Sequence, residues 1–205
     1  FTQLIRAKHS VTHFLKTILT NYNKDKFNIN LYLGNKKEDQ TTNEFKEYVN
    51  KATNITFMDD IEVINLVRND KIDILFDLMG LTSNHRLSLY KNRLAPIQIS
   101  WCGYLNTTGL KEMDYMIADK NIVPQEEQNL YSEKIIYLDD IWNCHAGYEL
   151  KRSKYPIPFR QNKFITFGSF NNFNKINDSV IAVWSKILKK IENSKLILKS
   201  SNAVF

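Results

Sequence analysis

Cysteine is scarce: only Cys102 and Cys144 occur, far apart and in no CxxC pair. That excludes a disulfide scaffold and a thiolate zinc site, and it fits buried thiols in a reducing compartment, so the expected localisation is cytoplasmic. No apolar stretch reaches 18 residues, which excludes a spanning helix, and the amino end does not read as a signal peptide. Among short motifs GxGxxG, GxxxxGK followed by Ser or Thr, HExxH and the calcium loop are all missing. Their absence argues against a dinucleotide oxidoreductase, a phosphate-loop hydrolase and a metalloprotease. A dense cluster of cations is missing too. The net charge of +6 is scattered, with pairs such as Lys36-Lys37 and Lys189-Lys190, which describes a solvated basic surface rather than a nucleic-acid or membrane stripe. One or two placed cations would still suffice for a phosphate-bearing ligand.

What is present is a rhythm of short apolar runs. Between Ile72 and Asp119 three of them, IDILFDLM, APIQISWCGY and MDYMIAD, stop at polar turns, with the helix-length RLSLYKNRL between the first two. That is the pattern of a mostly parallel, doubly covered sheet, so the fold class is α/β. Upstream, a helix is expected over residues 10–22, where Val11, Phe14, Leu15, Ile18 and Leu19 repeat at helical spacing behind Ser10 as cap. FNINLYL, residues 27–33, reads as a strand with Phe27, Ile29, Leu31 and Leu33 on one face. Residues 43–51 read as an amphipathic helix, NITFMDD (54–60) as a strand, 61–69 as a helix and KIIYLDD (134–140) as a strand. Residues 151–163, with Pro156 and Pro158 among cations, read as a linker. Beyond it the pattern restarts with FITFGSF, the turn NNFNK, a helix over 178–191 and KLILKSS. The expected organisation is one parallel-sheet domain over 1–150, the linker, and the truncated start of a second domain over 164–205. The opening at Phe1 and the close after an apolar run read as the ends of a fragment.

In open sheets of this kind ligands sit beyond the carboxyl ends of the strands, which points to the turns at 80–86 and 105–109. Lys175 lies between a strand end and a helix start marked by Asn177 and Asp178. A lysine and free backbone N–H groups there can converge on a phosphate. His9 and His13 are four apart and share a face if both are helical. A neutral imidazole at a helix amino terminus suits a proton acceptor near neutral pH. His145, beside Cys144, reads as structural or exposed, and no histidine has partners at zinc spacing, so no metal is expected. A solvated lysine, a locally bonded histidine and ordinary connecting loops are the alternatives that the residues alone leave open.

Taken in order, FDLMGLTSNHR, LAPIQISWCGYLNTTG, MDYMIAD, YSEKIIYLDD and FGSFNNFNKINDSVIAVWSKILKKIENSKLIL, preceded by the segment from His9 to His13, resemble the catalytic region of the protein O-linked N-acetylglucosamine transferase and SPINDLY family. The APIQ-x-x-W-x-GY segment is the most specific part, and the short linker resembles bacterial-type members. The resemblance implies a GT-B fold, with Rossmann-like halves facing each other across a cleft. It implies an inverting transfer, without metal or cofactor, of N-acetylglucosamine from UDP-N-acetylglucosamine to serine or threonine hydroxyls of proteins. GDP-fucose, the donor of SPINDLY proteins, is the alternative donor; a non-catalytic module that binds peptides or RNA is the alternative of another class. By the resemblance Lys175 contacts the nucleotide diphosphate, with Asn172 and Asn174 beside it. His9 lies near the reacting hydroxyl as base or positioning group, and His13, Thr82, Arg86, Thr107, Thr108 and Gly109 line the cleft. The implied partners are a nucleotide sugar and protein or peptide acceptors, without membrane or nucleic acid. Tetratricopeptide repeats are implied ahead of Phe1 and a nucleoside pocket past Phe205, so the piece alone is expected to be inactive. Leu81 stands where members usually carry histidine or tyrosine, Leu105-Asn106 where Pro-Gly is usual, and Asn172 and Asn174 where glutamine and tyrosine are common.

Overall fold

The computed structural model describes residues 10–34, 36–82, 85–145, 147 and 155–199; His9 and residues 151–154 lie outside the described residues. Contacts divide the chain into two compact units, Phe1–Tyr148 and Glu149–Phe205.

In the first unit α1 (Ser10–Asn21) buries Val11, Leu15 and Leu19, one per turn, in a cluster with Leu31, Leu33, Phe45 and Trp101. β1 (Asn30–Leu33) pairs in parallel with β2 (Lys51–Asn54). α2 (Gln40–Tyr48) crosses between them, three residues earlier than the sequence suggests because Asp39 caps it, accepting from Thr42 N–H at 2.8 Å. α3 (Asp60–Asn69) opens on a capping box of Asp59 and Glu62 and leads to β3 (Ile74–Asp77). With β4 (Ile97–Ser100), β5 (Tyr115–Ala118) and β6 (Lys134–Tyr137), β3 forms a four-stranded parallel sheet in sequence order. The segment between β3 and β4 is a 3-10 helix, Leu87–Asn92, and another, Gln125–Leu130, precedes β6.

Two expected strands are corrected. The first begins at Asn30, leaving Phe27 60% exposed, while Leu31, Tyr32 and Leu33 are all buried. It is thus covered on both faces, as parallel strands are, rather than on one. The second is Lys51–Asn54, not 54–60. Ile55 N–H still donates to Leu33 O at 2.7 Å, but Asn54 Oδ1 then accepts from Thr56 N–H at 3.0 Å and Met58 N–H turns back onto Ile55 O at 3.2 Å. This Asx turn takes the chain out of the sheet and leaves Phe57 84% exposed.

Gln98, in the middle of β4, is fully buried and fully used. Its Oε1 accepts from Leu94 N–H at 2.9 Å, and Nε2 donates to Tyr90 O at 3.0 Å and Glu112 O at 2.6 Å. The glutamine of APIQ therefore ties the connection before β4 to the loop after it, which an apolar residue could not do.

The second unit holds α4 (Pro158–Asn162), β7 (Ile165–Ser169), a 3-10 turn at Phe173–Lys175, α5 (Asp178–Lys190) and β8 (Ser194–Leu198). β7 and β8 pair in parallel, Ile165 opposite Ser194, which makes one strand, helix, strand unit. α4 falls inside the stretch read as linker: Pro158 suits a first helical position, where its missing N–H costs nothing. Among the described residues no helix is long and apolar enough to cross a membrane.

Candidate active site

β3 ends in Asp77, 1% exposed, whose carboxyl oxygens accept from Met79 N–H at 3.2 Å and Gly80 N–H at 2.7 Å. Burial pushes this carboxyl up from 3.8 to about 6, against the opposing pull of the two N–H groups and of His85. The folded chain therefore holds a proton that the unfolded chain has already released across that interval. The stabilisation from protonated Asp77 is complete below the unfolded value of 3.8 and is lost as pH rises through about 6, a change on the order of 3 kcal/mol. Urea titrations of wild type and Asp77→Asn are expected to show their stability difference moving against the wild type by that amount over the interval. A difference independent of pH would show that Asp77 titrates as an ordinary carboxylate.

The loop leaving β3 and the loop leaving β4 touch backbone to backbone. A Cβ on Gly80 (φ +54) would stand 2.3 Å from Tyr104 Cβ, and one on Gly103 would stand 1.7 Å from Leu78 O. Thr82 Oγ1 donates to Met79 O at 2.9 Å. Arg86 donates through Nε to Asp60 Oδ1 at 3.1 Å, through Nη2 to the same oxygen, and through Nη1 to Ile55 O at 3.4 Å. Its guanidinium is thus engaged with the start of α3.

Residues 101–114 carry no helix or strand. Thr108 donates through N–H to Glu133 Oε1 at 2.7 Å and through its hydroxyl to the same oxygen. Thr107 Oγ1 donates to Glu133 Oε2 at 2.7 Å and accepts from Gly109 N–H at 3.1 Å and Ser132 N–H at 3.2 Å. Both threonine hydroxyls are therefore used inside the unit, and past Thr108 the turn offers outward only backbone, at the exposed Gly109 (φ +70), beside which there is open space. Glu133 directly precedes β6. The Thr107-Thr108 end of the turn at 105–109 is accordingly tied to the entrance of a strand, whereas its front end follows Tyr104, which lies against Gly80 after the exit of β3; the turn adjoins the carboxyl edge by its front end alone, not along its length as the sequence suggests.

A third group gathers around α1. His13 stacks on His145, with ring centroids 5.3 Å apart and planes at 20°. Phe14 meets His145 edge-on at 5.7 Å and Trp142 at 5.9 Å. Asp119 anchors this corner, accepting from Trp142 N–H at 2.8 Å, Asn121 N–H at 2.8 Å and Ile122 N–H at 3.0 Å. Those bonds, Trp142 first, hold its carboxyl below the usual range. Trp101 Nε1 donates to Trp142 O at 2.8 Å, and an apolar pocket of about 340 Å³ opens between Phe76, Trp101, Ile117, Leu138, Trp142 and Cys144. Both cysteines are free thiols, and burial pushes Cys102 up to about 12. His145 is exposed as its sequence suggests, and it joins His13. Nothing in the sequence marked that pairing, because it joins α1 to a segment held from afar, Trp142 by Asp119 and Trp101 and Cys144 by its Sγ on Phe14 O at 3.4 Å.

In the second unit Asn172 opens the 3-10 turn, its side chain accepting from Asn174 N–H at 3.0 Å, and Lys175 closes it, donating its N–H to Asn172 O at 3.0 Å. Asn177 caps α5, accepting from Val180 N–H at 3.0 Å and Ser179 Oγ at 2.6 Å. Lys175 is exposed, and among the described residues no carboxylate pairs with it. It stands two residues ahead of the cap of a 13-residue helix, where the field favours anions. Among the described residues no group of three or more His, Cys, Asp or Glu is arranged to hold a metal ion.

Over 98% of its length the chain is similar to a mutant of the Thermobaculum terrenum O-GlcNAc transferase, with a TM-score of 0.89 and 27% identity, covering 38% of that chain. Its parallel-sheet α/β architecture is that of the GT-B glycosyltransferases. Residues 6–147 match Glycosyl transferase family 41, and the chain belongs to that family. It is 37% identical to the Arabidopsis thaliana protein SPINDLY, named a probable UDP-N-acetylglucosamine–peptide N-acetylglucosaminyltransferase, over 93% of this chain and 21% of that protein. It is 26% identical to SEC of the same plant, named for the same probable activity, over 94% of this chain and 21% of that protein. The chain thus spans about a fifth of the length of these relatives.

Proposed function

We propose that the protein to which this chain belongs is an inverting, metal-independent glycosyltransferase that moves N-acetylglucosamine from UDP-N-acetylglucosamine to serine or threonine hydroxyls of proteins. The observation that carries this reading is Lys175, an exposed cation without a carboxylate partner among the described residues, ahead of a capped helix, in a family 41 chain. Lys175 and the N–H groups at the start of α5 stabilise the charge that grows on the leaving diphosphate. Asn172 and Asn174 shape the turn that presents it. His9 serves the acceptor hydroxyl as base or positioning group, with His13 on the following helix. Thr82, Arg86 and the turn Thr107 to Gly109 belong to the acceptor side, within a first domain over 1–150; residues 151–163 link it to the start of the nucleotide-sugar domain at 164. The full protein carries tetratricopeptide repeats upstream and works in the cytoplasm on protein acceptors.

A second reading, transfer of fucose from GDP-fucose, is the alternative donor that the resemblance to the SPINDLY branch of the family implies. Full-length protein supplied with a protein acceptor and either donor, in the presence of a chelator, separates the two. The first reading expects sugar-modified acceptor and free UDP, the second free GDP. Release of neither, together with RNA binding that falls steeply with salt, would overturn both.

A further inference from the structure

We infer that Glu133 is a positioning residue of the transfer reaction, which fixes the loop between β4 and β5 so that its exposed tip, Leu105-Asn106, meets the substrate in one geometry. The inference rests on the proposed reading that this loop lines the substrate site. The loop has no helix or strand of its own and is pinned at two places. In front, Gly103 lies against Leu78 O and Tyr104 against Gly80. Behind, Thr107 and Thr108 are held by Glu133, which is 3% exposed. Between the pins Leu105 is 43% exposed and Asn106 is exposed, so these two residues are what the loop presents.

The chemistry of the rear pin requires a carboxyl group. Glu133 accepts from Thr107 Oγ1, from Thr108 N–H and hydroxyl, and from Ser132 Oγ at 3.2 Å, with no cation among these partners. An ionised carboxyl is the one side-chain group that accepts at both oxygens without needing to donate. An amide in its place would keep the Thr108 contact and aim a donor at Thr107 Oγ1, which already accepts two N–H groups. Left with an unmatched donor, the Thr107 side of the turn would move, and the tip beside it would lose its fixed position.

The test is steady-state kinetics on the full-length protein carrying Glu133→Gln, Leu105→Ala, Asn106→Ala and the double variant Glu133→Gln/Asn106→Ala. Glu133→Gln is expected to lower kcat about 10²-fold while most of the protein stays folded, since misplacing a reacting group by about 1 Å costs that much. Asn106→Ala is expected to lose its own effect in the Glu133→Gln background, because both act on one tip. A fall in melting temperature with kcat and KM per folded molecule unchanged, or strictly additive effects, would overturn the role. Thr107→Val, which removes one arm of the pin, replaces Glu133→Gln if that variant does not fold. If Leu105→Ala and Asn106→Ala leave kcat and both KM values unchanged, the loop does not face substrate and the reading beneath the inference fails. If they change those values and Glu133→Gln does not, Glu133 alone is overturned.

Discussion

Alanine at Lys175 in the full-length protein is expected to lower kcat by about 10²- to 10³-fold while leaving the melting transition where it was. The turn that holds Lys175 is built from its backbone, since its N–H donates to Asn172 O and the neighbouring contact is Asn172 Oδ1 with Asn174 N–H. Alanine keeps all of this, and an exposed side chain without a carboxylate partner among the described residues takes little stability with it, usually within about 0.5 kcal/mol. What alanine removes is a full charge at the place where the proposed reaction builds negative charge on the leaving group. Catalysis is not expected to vanish, because the N–H groups and the field at the start of α5 remain and supply roughly half a charge. Measuring kcat and donor KM separately distinguishes the roles. A pure rise in KM would make Lys175 a ground-state contact, and unchanged turnover would remove it from the mechanism.

What could be read in the sequence was the part set by local chemistry. Val11, Leu15 and Leu19 repeat once per turn, and the helix they imply exists with these residues buried. The turn and helix around Lys175 depend on residues within five positions of it, so their form was legible as well. The misplaced second strand failed for a local reason of another kind: Asn54 bends the chain by its side chain just where Ile55 and Phe57 imitate a strand pattern. What could not be read were pairings across long intervals. Arg86 is bonded to Asp60, 26 residues earlier, and Thr108 to Glu133, 25 residues later. Neither partner carries a mark in the sequence, since an acid at a helix start and an acid before a strand are both ordinary. Glu133 therefore came from the fold, although YSEK was among the segments that pointed to the family.

Gly103→Ala is expected to destabilise the first unit by about 3 kcal/mol or more, the upper end for forcing atoms into packed space. The ladder between β3 and β4 runs one residue past the strands, through Trp101 N–H on Asp77 O at 2.9 Å. Two residues later Gly103 passes so close to Leu78 that a Cβ would lie 1.7 Å from its carbonyl oxygen and 2.6 Å from its carbonyl carbon. Real Cβ atoms essentially never come within 3.0 Å, and both obstacles are backbone, so neither can swing aside. The loop must retreat by more than an ångström, which strains the Trp101 bond and moves Tyr104 off Gly80. Gly109→Ala is the matched control. Its φ of +70 makes alanine strained, but there is open space beside it, so only the conformational cost of about 1–2 kcal/mol applies. In thermal unfolding of the full-length protein, the transition of this unit is expected to fall by roughly 10 °C for Gly103→Ala and by a third to a half of that for Gly109→Ala. Equal shifts would mean that the two loops do not approach as closely as the backbone places them. A larger shift for Gly103 would also bear on activity, because the same contact is the front pin of the loop whose rear is held by Glu133. Loss of transfer should therefore set in at temperatures where the unit is still folded.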